Sequence, residues 1–480
     1  MEVSEKNVLQ VILLKIGRAF KNFFIKIAKS LKKVFVDFGF RFKDSSIWTK
    51  ISHFILGFGN FARKQFVKGS LFLVSEVIFL LIMIISPEIS GTPIGGKALG
   101  NLTTLGTNVG SIFEKADNSL LMLLYGIVTI MLILIFFRIW IGGIKSSYKA
   151  DLDIRNGERP TNFIEDVKTL ADEKFHTSML TPAVIGILVL TIIPNIFMIF
   201  VAFTNYDNDH LPPNQLFDWV GFVNFAGLFN GSSDLFGFWG VLGWTLIWAV
   251  CATFTNYFLG IFVAILINNK LVKFKKMWRT IFVLTIAIPQ FVSLLMMRLL
   301  FSEYGPINTA LKDWGLIDTP IKFLGNADNM WLARLMVIII NIWVGIPYTM
   351  LMTSGILMNV PAELYEAAEM DGAKKSQQFR KITMPYILFI TTPYLISSFM
   401  GNITSFNIIY LLTAGGPNTS AGPKPGDTDL LVTWLFRLTV DQNNYSTGAV
   451  ISILTFIIMA VGTLATYRNT KSYKEEGEFQ

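Results

Sequence analysis

PAELYEAAEMDGAKKSQQFRKITMP, residues Pro361 to Pro385, is a polar island of 25 residues between two apolar runs that are each long enough to cross a bilayer. Pro361 suits the first turn of a helix, where a missing N–H costs nothing, and Leu364, Ala367 and Ala368 then share one face. Asp371-Gly372 ends that helix, since glycine accepts the left-handed conformation of a C-cap. A second short helix is predicted from about Lys374, with Phe379 and Ile382 one turn apart and Met384-Pro385 as its stop. The result is a helix, a tight turn and a helix, with small alanines on the exposed side and a shape suited to a groove on another protein.

Outside the island the chain is mostly membrane. Of 480 residues, 52% are hydrophobic and 15% charged, with 42 Phe and 18 Met, which is too apolar for a soluble protein of this length. The single cysteine, Cys251, excludes a disulfide framework and a Cys-based metal site. His53, His176 and His210 do not converge in sequence. No secretory signal pattern is visible before the first apolar run. The net charge of +8 fits cytoplasmic loops facing anionic lipid better than nucleic acid.

A span needs roughly 20 apolar residues to cross a hydrocarbon core of about 30 Å. By that measure the sequence predicts an all-α polytopic membrane protein with eight spans, near residues 68–87, 120–141, 178–203, 241–267, 279–300, 331–357, 387–411 and 446–467. Glu76 lies inside the first, where a buried acid is costly, so it requires a partner or a place near an interface. Loops 142–177 and 268–278 carry six and four Lys/Arg, and the island adds Lys374, Lys375, Arg380 and Lys381, which puts these segments and both termini in the cytoplasm. Residues 204–240 contain four Asp and no Lys or Arg, and face outward.

Residues 1–70 hold 14 Lys/Arg against four Asp/Glu. Leu14, Phe20, Phe24, Ile27, Leu31 and Phe35 recur at roughly helical spacing. Residues 1–67 therefore read as a basic amphipathic helix on the inner leaflet. The stretch GFGNFARKQFVKGSLFL, residues 57–73, reads as a tight lead-in to the first span.

Proline interrupts several spans, at Pro182, Pro194, Pro289, Pro347 and Pro393, and frees backbone groups that only protein or a water-filled cavity can satisfy. Neutral polar residues gather in the later spans: Gln290, Ser293, Asn341, Tyr348, Thr391, Thr392, Ser397, Ser398, Asn402, Thr404, Ser405 and Asn407. Helix-to-helix hydrogen bonding accounts for the Ser and Thr. The isolated amides and Tyr348 point equally to a polar pathway, because an amide in hydrocarbon needs a partner. Apart from Glu76 no ionisable group sits at mid-span, unlike the relays of proton-driven carriers, and neutral amides, hydroxyls and aromatic faces suit a polyhydroxylated ligand. There is no GxxxxGK[ST] loop, HExxH, paired-Cys motif or GxSxG elbow, so the chain binds no ATP by a phosphate loop and reads as no enzyme.

The spacing Glu366-Ala367-Ala368, Asp371-Gly372-Ala373, Phe379, Ile382 and Pro385 closely resembles the EAA motif of membrane subunits of binding-protein-dependent ABC importers, with Met384 where leucine is usual. NIWVGIPYTMLMTSGILMNVPAELYEAAEMDGA (341–373), and LLTAGGP (411–417) followed by TDLLVTWLFR (428–437), resemble the larger membrane subunit of maltose and maltodextrin importers (MalF type). The likeness covers roughly residues 178–467. It implies a type I ABC importer permease fold: a transmembrane core at 178–467, extra spans and a cytoplasmic loop at 68–177, and a cytoplasmic tail at 468–480. It also implies a homologous second permease, two copies of a cytoplasmic ATPase that use ATP and Mg, and an extracellular, lipid-anchored sugar-binding protein in a bacterial cytoplasmic membrane. Glu366, Ala367, Ala368, Asp371, Gly372 and Ala373 would form the ATPase-coupling surface.

The same resemblance implies a sugar site. Asn341, Val344, Gly345 and Tyr348 stand in the NIWVGIPY stretch, and Ser398, Asn402, Ser405 and Gln290 join them from neighbouring spans. Ile286 and Gln290 replace a Tyr and a Ser of the maltose protein, and Gly401 and Ser405 replace a Phe and an Asn. The expected cargo is therefore an oligosaccharide, with maltodextrin and galacto- or other plant-derived oligomers equally open. The outer loop at 204–240 is much shorter than the inserted external domain of the maltose subunit. An ABC permease for a non-sugar solute and a stand-alone secondary carrier are the alternatives.

Overall fold

A computed structural model describes residues 22, 25, 26, 28, 29, 32–108, 116–229, 236–269, 271–418 and 424–467. The expected tail at 468–480, and Leu14, Phe20, Phe24, Ile27 and Leu31 of the basic helix, lie outside the described residues. Among the described residues, seven helices are long and apolar enough to cross a membrane: Phe66–Ile85, Ser119–Arg155, Phe175–Val201, Gly237–Asn268, Met330–Met358, Lys375–Thr413 and Tyr445–Leu464. A pair of helices, Lys275–Ala287 and Gln290–Leu300, bent by 93°, makes an eighth, fifth in chain order, when taken together as one broken span. These coincide with the eight expected runs. The bend falls where Pro289 lacks an N–H and holds Ile288 extended (ψ 126°), as a residue before proline prefers.

The chain divides into two compact units, Met1–Val220 and Gly221–Gln480. In the first, the segment before the first span is not one surface helix. After a helix ending near Asp44 come two short helices, Ile47–Ile51 and Phe58–Phe61, joined through Gly57 in the left-handed region (φ 81°). They fold against the C-terminal end of the second span around a buried ion pair, Arg63 Nη2 to Asp151 Oδ1 at 2.6 Å. Arg63 also donates to Ser46, Thr49 and Ser147 hydroxyls and to the Gly59 carbonyl, while Asp151 accepts from the Ser46 N–H and from Arg155. With so many partners the charges tolerate removal from water. Glu76 has the partner its position demands: the Leu56 N–H donates to its Oε2 at 2.7 Å.

His53 is buried in this unit among Phe38, Phe42 and Trp140, with Nδ1 on the Thr49 carbonyl at 2.9 Å and Nε2 without a partner. Burial lowers its pKa below the ordinary 6.5. As pH falls, the unfolded chain takes up the proton first. The stability tied to neutral His53 is therefore complete above 6.5 and is lost as pH falls through the folded-state value. Thermal melts of the purified chain at about pH 7.5 and about pH 5.5 should differ, and the difference should shrink in His53→Gln. An identical pH dependence in the variant would rule His53 out as the titrating group.

The second unit packs the fourth and sixth spans closely through small residues. A Cβ on Gly260 would collide with Thr349, and one on Gly345 with the Asn256 amide. Trp244, Trp248, Leu294, Val337, Ile340, Ile409 and Leu412, from four spans, form its main core. A smaller cluster of Tyr257, Ile261 and Ile387 carries a Tyr257–Thr391 hydroxyl bond of 2.6 Å.

One local expectation is overturned. Met384-Pro385 does not stop a helix: Lys375–Gln378 runs through a wide turn, Phe379–Thr383, into Met384–Ile403. In that turn the Met384 N–H donates to the Phe379 carbonyl five residues back, so the ladder changes register where Pro385 has no donor to offer.

Candidate functional site

Two helix breaks in the second unit open into one cavity of about 410 Å³. One is the Pro289 bend, which presents Gln290 at the start of Gln290–Leu300. The other is Thr404–Phe406, unwound between Met384–Ile403 and Asn407–Thr413. Broken helices in membranes persist where freed backbone groups meet protein or water, and such places commonly form solute sites. Thr404, Ser405, Phe406 and Asn407 line the wall on that side, and the sixth span supplies Asn341, Gly345, Tyr348 and Thr349.

Seven of the eight expected residues meet here: Gln290, Asn341, Gly345, Tyr348, Ser398, Asn402 and Ser405. Val344 does not line the cavity: helical spacing puts it on the same broad face as Asn341 and Tyr348, but at the edge away from Gly345, where it packs against the main core. Asn256 and Tyr394 are lining residues that the sequence reading missed. Tyr394 stands four residues before Ser398 and eight before Asn402, a spacing that would have found it. Its ring lies 5.8 Å from that of Tyr348.

Hydrogen bonding separates structural amides from available ones. Asn402 Nδ2 donates to Thr253 at 2.9 Å and its carbonyl accepts from Trp248, so part of this residue ties helices together. Asn341 is 3% exposed with Nδ2 unpartnered, and Asn256 Oδ1 is buried and unpartnered beside Gly345. A donor and an acceptor, both desolvated and unsatisfied, are thus held on residues that line one cavity. No carboxylate, amine, guanidinium or imidazole lines it. A second cavity of about 400 Å³, beyond the main core, is instead rimmed by Arg298, Glu303 and Lys322.

The island forms a separate surface. Ala362–Met370 is a helix with Pro361 at its N-cap, and Gly372 follows in the left-handed region (φ 75°), its N–H on the Glu369 carbonyl. The Ala373 N–H closes the turn on the Ala368 carbonyl at 2.9 Å. Glu366, Ala367, Asp371 and Gly372 are exposed, Ala368 and Ala373 half-buried, and the apolar Leu364 and Met370 are 47% and 88% exposed. The Tyr365 and Thr383 hydroxyls, 2.8 Å apart, bind this helix to the wide turn beneath the seventh span.

Residues 256–470 match the family described as binding-protein-dependent transport system inner membrane component. The chain is 34% identical over 433 residues to the maltodextrin transport system permease protein MalC of Streptococcus pneumoniae, covering 88% of this chain and 95% of that one. It is 33% identical over 423 residues to the galactooligosaccharides transport system permease protein GanP of Bacillus subtilis, covering 88% and 97%. A chain of a solved bacterial ABC transporter involved in the import of the acidic polysaccharide alginate superposes with a TM-score of 0.52 at 23% identity, covering 64% of this chain and all of that one. That likeness is one of fold.

Proposed function

The chain belongs to the family of binding-protein-dependent transport system inner membrane components, and from that premise we propose that its cavity carries a neutral oligosaccharide across the membrane. It is a multi-pass permease of a sugar-importing ABC transporter that works with an extracellular binding protein, not a catalytic subunit. The observation that carries the neutral cargo is the cavity wall: unpartnered amides at Asn256 and Asn341, hydroxyls at Ser398 and Ser405, tyrosine faces at Tyr348 and Tyr394, and no charged group. Hydroxyl-rich rings satisfy such a wall. An acidic polysaccharide would need cations there, and proton coupling would need a titrating relay. Maltodextrins and galacto-oligosaccharides, named for the two relatives above, are the candidate cargoes.

The finer assembly follows the resemblance. A core at residues 178–467 pairs with a homologous permease, two copies of a cytoplasmic ATPase hydrolyse ATP with Mg, and the island docks against them through residues 366–373. A lipid-anchored binding protein delivers sugar on the outer face. Closure of the ATPase pair shifts the permease between inward- and outward-open states.

The test is uptake by vesicles containing the full complex. Asn341→Ala and Tyr348→Ala should each lower oligosaccharide uptake about five- to tenfold, the size of one or two lost hydrogen bonds or a lost ring contact, while the complex still assembles. Unchanged uptake would remove the cargo site from this cavity.

A further inference from the structure

A third cavity, of about 580 Å³, lies wholly within the first unit between the first span, the second span and the segment Thr161–Lys174. None of its lining residues belongs to the proposed cargo cavity. One end is cationic: Lys68, Lys145, Lys149 and Lys174 line it against Asp153 and Asp166, leaving an excess of two positive charges. Lys68 is paired with Asp166, but no ion pair to Lys145, Lys149 or Lys174 occurs among the described residues. Lys145 and Lys149 stand one turn apart on the same helix face, an arrangement that costs stability unless an anion comes between them.

The other end is apolar and open. Leu71, Phe72 and Ile139 form its walls, and the small Ser75 and Gly142 leave a cleft in which a Cβ on Gly142 would meet nothing. The cleft continues along exposed Leu71 and Ile78 on one helix and Ile135 on the other, surfaces that face acyl chains in a bilayer. Depth agrees with charge. At 1.5 Å per residue, Lys145 lies about 39 Å along the second span from Ser119, beyond a hydrocarbon core of about 30 Å, at headgroup level. The basic loop at 142–177 puts that end on the cytoplasmic leaflet, where anionic lipids concentrate.

We propose that this cavity is a binding site for an anionic phospholipid, with the phosphate between Lys145, Lys149 and Lys174 and one acyl chain in the cleft over Gly142. The shared chemistry is a phosphate oxyanion, and the apolar cleft commits it to a lipid rather than a free ion. In a resident complex the lipid would splint the first two spans to the cytoplasmic segment that follows them.

The full chain in nanodiscs of phosphatidylcholine, titrated with phosphatidylglycerol, tests this by native mass spectrometry and thermal melting. One phosphatidylglycerol should be retained per chain, with a raised melting temperature. Lys145→Gln with Lys149→Gln should weaken retention about thirtyfold, as expected for two lysines near a charged surface. Gly142→Leu should abolish it by filling the cleft, with melting in pure phosphatidylcholine unchanged. Lys273→Gln with Lys276→Gln, which removes equal charge from another basic loop, should have no effect. Equal loss in that control, full retention in Gly142→Leu, or the same stabilisation by inorganic phosphate alone would each overturn the proposal.

Discussion

Asp429→Ala is expected to destabilise the second unit by about 3–5 kcal/mol, the usual cost of stranding one partner of a buried ion pair. Asp429 is 1% exposed and lies 3.1 Å from Arg437, whose side chain is 11% exposed. The carboxylate also accepts from the Gly426 N–H at 2.7 Å and the Thr433 hydroxyl at 2.9 Å. The turn at Gly415 (φ 87°) packs directly on it, so closely that a Cβ on Gly415 would strike the carboxylate. This explains the glycine at 415 and the acid that follows Thr428 in TDLLVTWLFR. Without the carboxylate, Arg437 keeps only the Lys424 carbonyl on Nη2, and its Nε and Nη1 already lack partners. Burial pushes the Asp429 carboxyl up against the opposing pull of Arg437, a sign that desolvation outweighs attraction. It follows that Asp429→Leu combined with Arg437→Met should be much milder than either single change. Fluorescence-detected melts of the three variants decide it: a double variant as unstable as the single ones would refute the ion-pair account.

The spans and most of the cavity are legible in the sequence because bilayers impose strong terms. Length and apolarity fix a crossing, and an isolated amide such as Asn341 must find a partner, so its position carries information. Pro289 likewise marks the bend, since a missing N–H in hydrocarbon has few remedies. What is illegible depends on pairing across distance. Arg63 and Asp151 are 88 residues apart and look like ordinary members of basic loops; only folding of residues 45–65 onto the second span joins them. Asn256, in TNYF, carries no mark of a cavity residue until Gly345 is seen to leave it room. Pro385 reads as a stop because a sequence shows the proline but not the wide turn that absorbs it. Val344 fails for the same reason: helical spacing groups it with Asn341 and Tyr348, and only its packing against the main core, which depends on distant spans, takes it out of the cavity wall.

Gly372→Pro is expected to reduce ATP-driven uptake by about thirtyfold or more, the scale of losing a central contact in a protein interface, while sugar-facing residues and overall folding remain intact. Proline holds φ near −65° where Gly372 has 75°, and it removes the N–H that bonds the Glu369 carbonyl. No neighbouring atom approaches a Cβ there, so the damage is confined to the turn. The turn sets the angle of Ala362–Met370, whose Met370 and Leu364 project apolar surface that a partner would cover. That helix is fastened to the seventh span by the Tyr365–Thr383 bond. From Lys375 the backbone runs as one helical rod, through the wide turn at Phe379–Thr383, to Tyr394, Ser398 and Asn402 at the cavity wall. A push at the proposed docking surface would therefore reach the cavity through continuous helix, and the wide turn is the place where that rod can change register. Tyr365→Phe, which removes only the fastening, should lower uptake less than Gly372→Pro and leave assembly with the ATPase unchanged. Uptake at the full rate in Gly372→Pro would mean that ATP energy enters the permease somewhere other than the island.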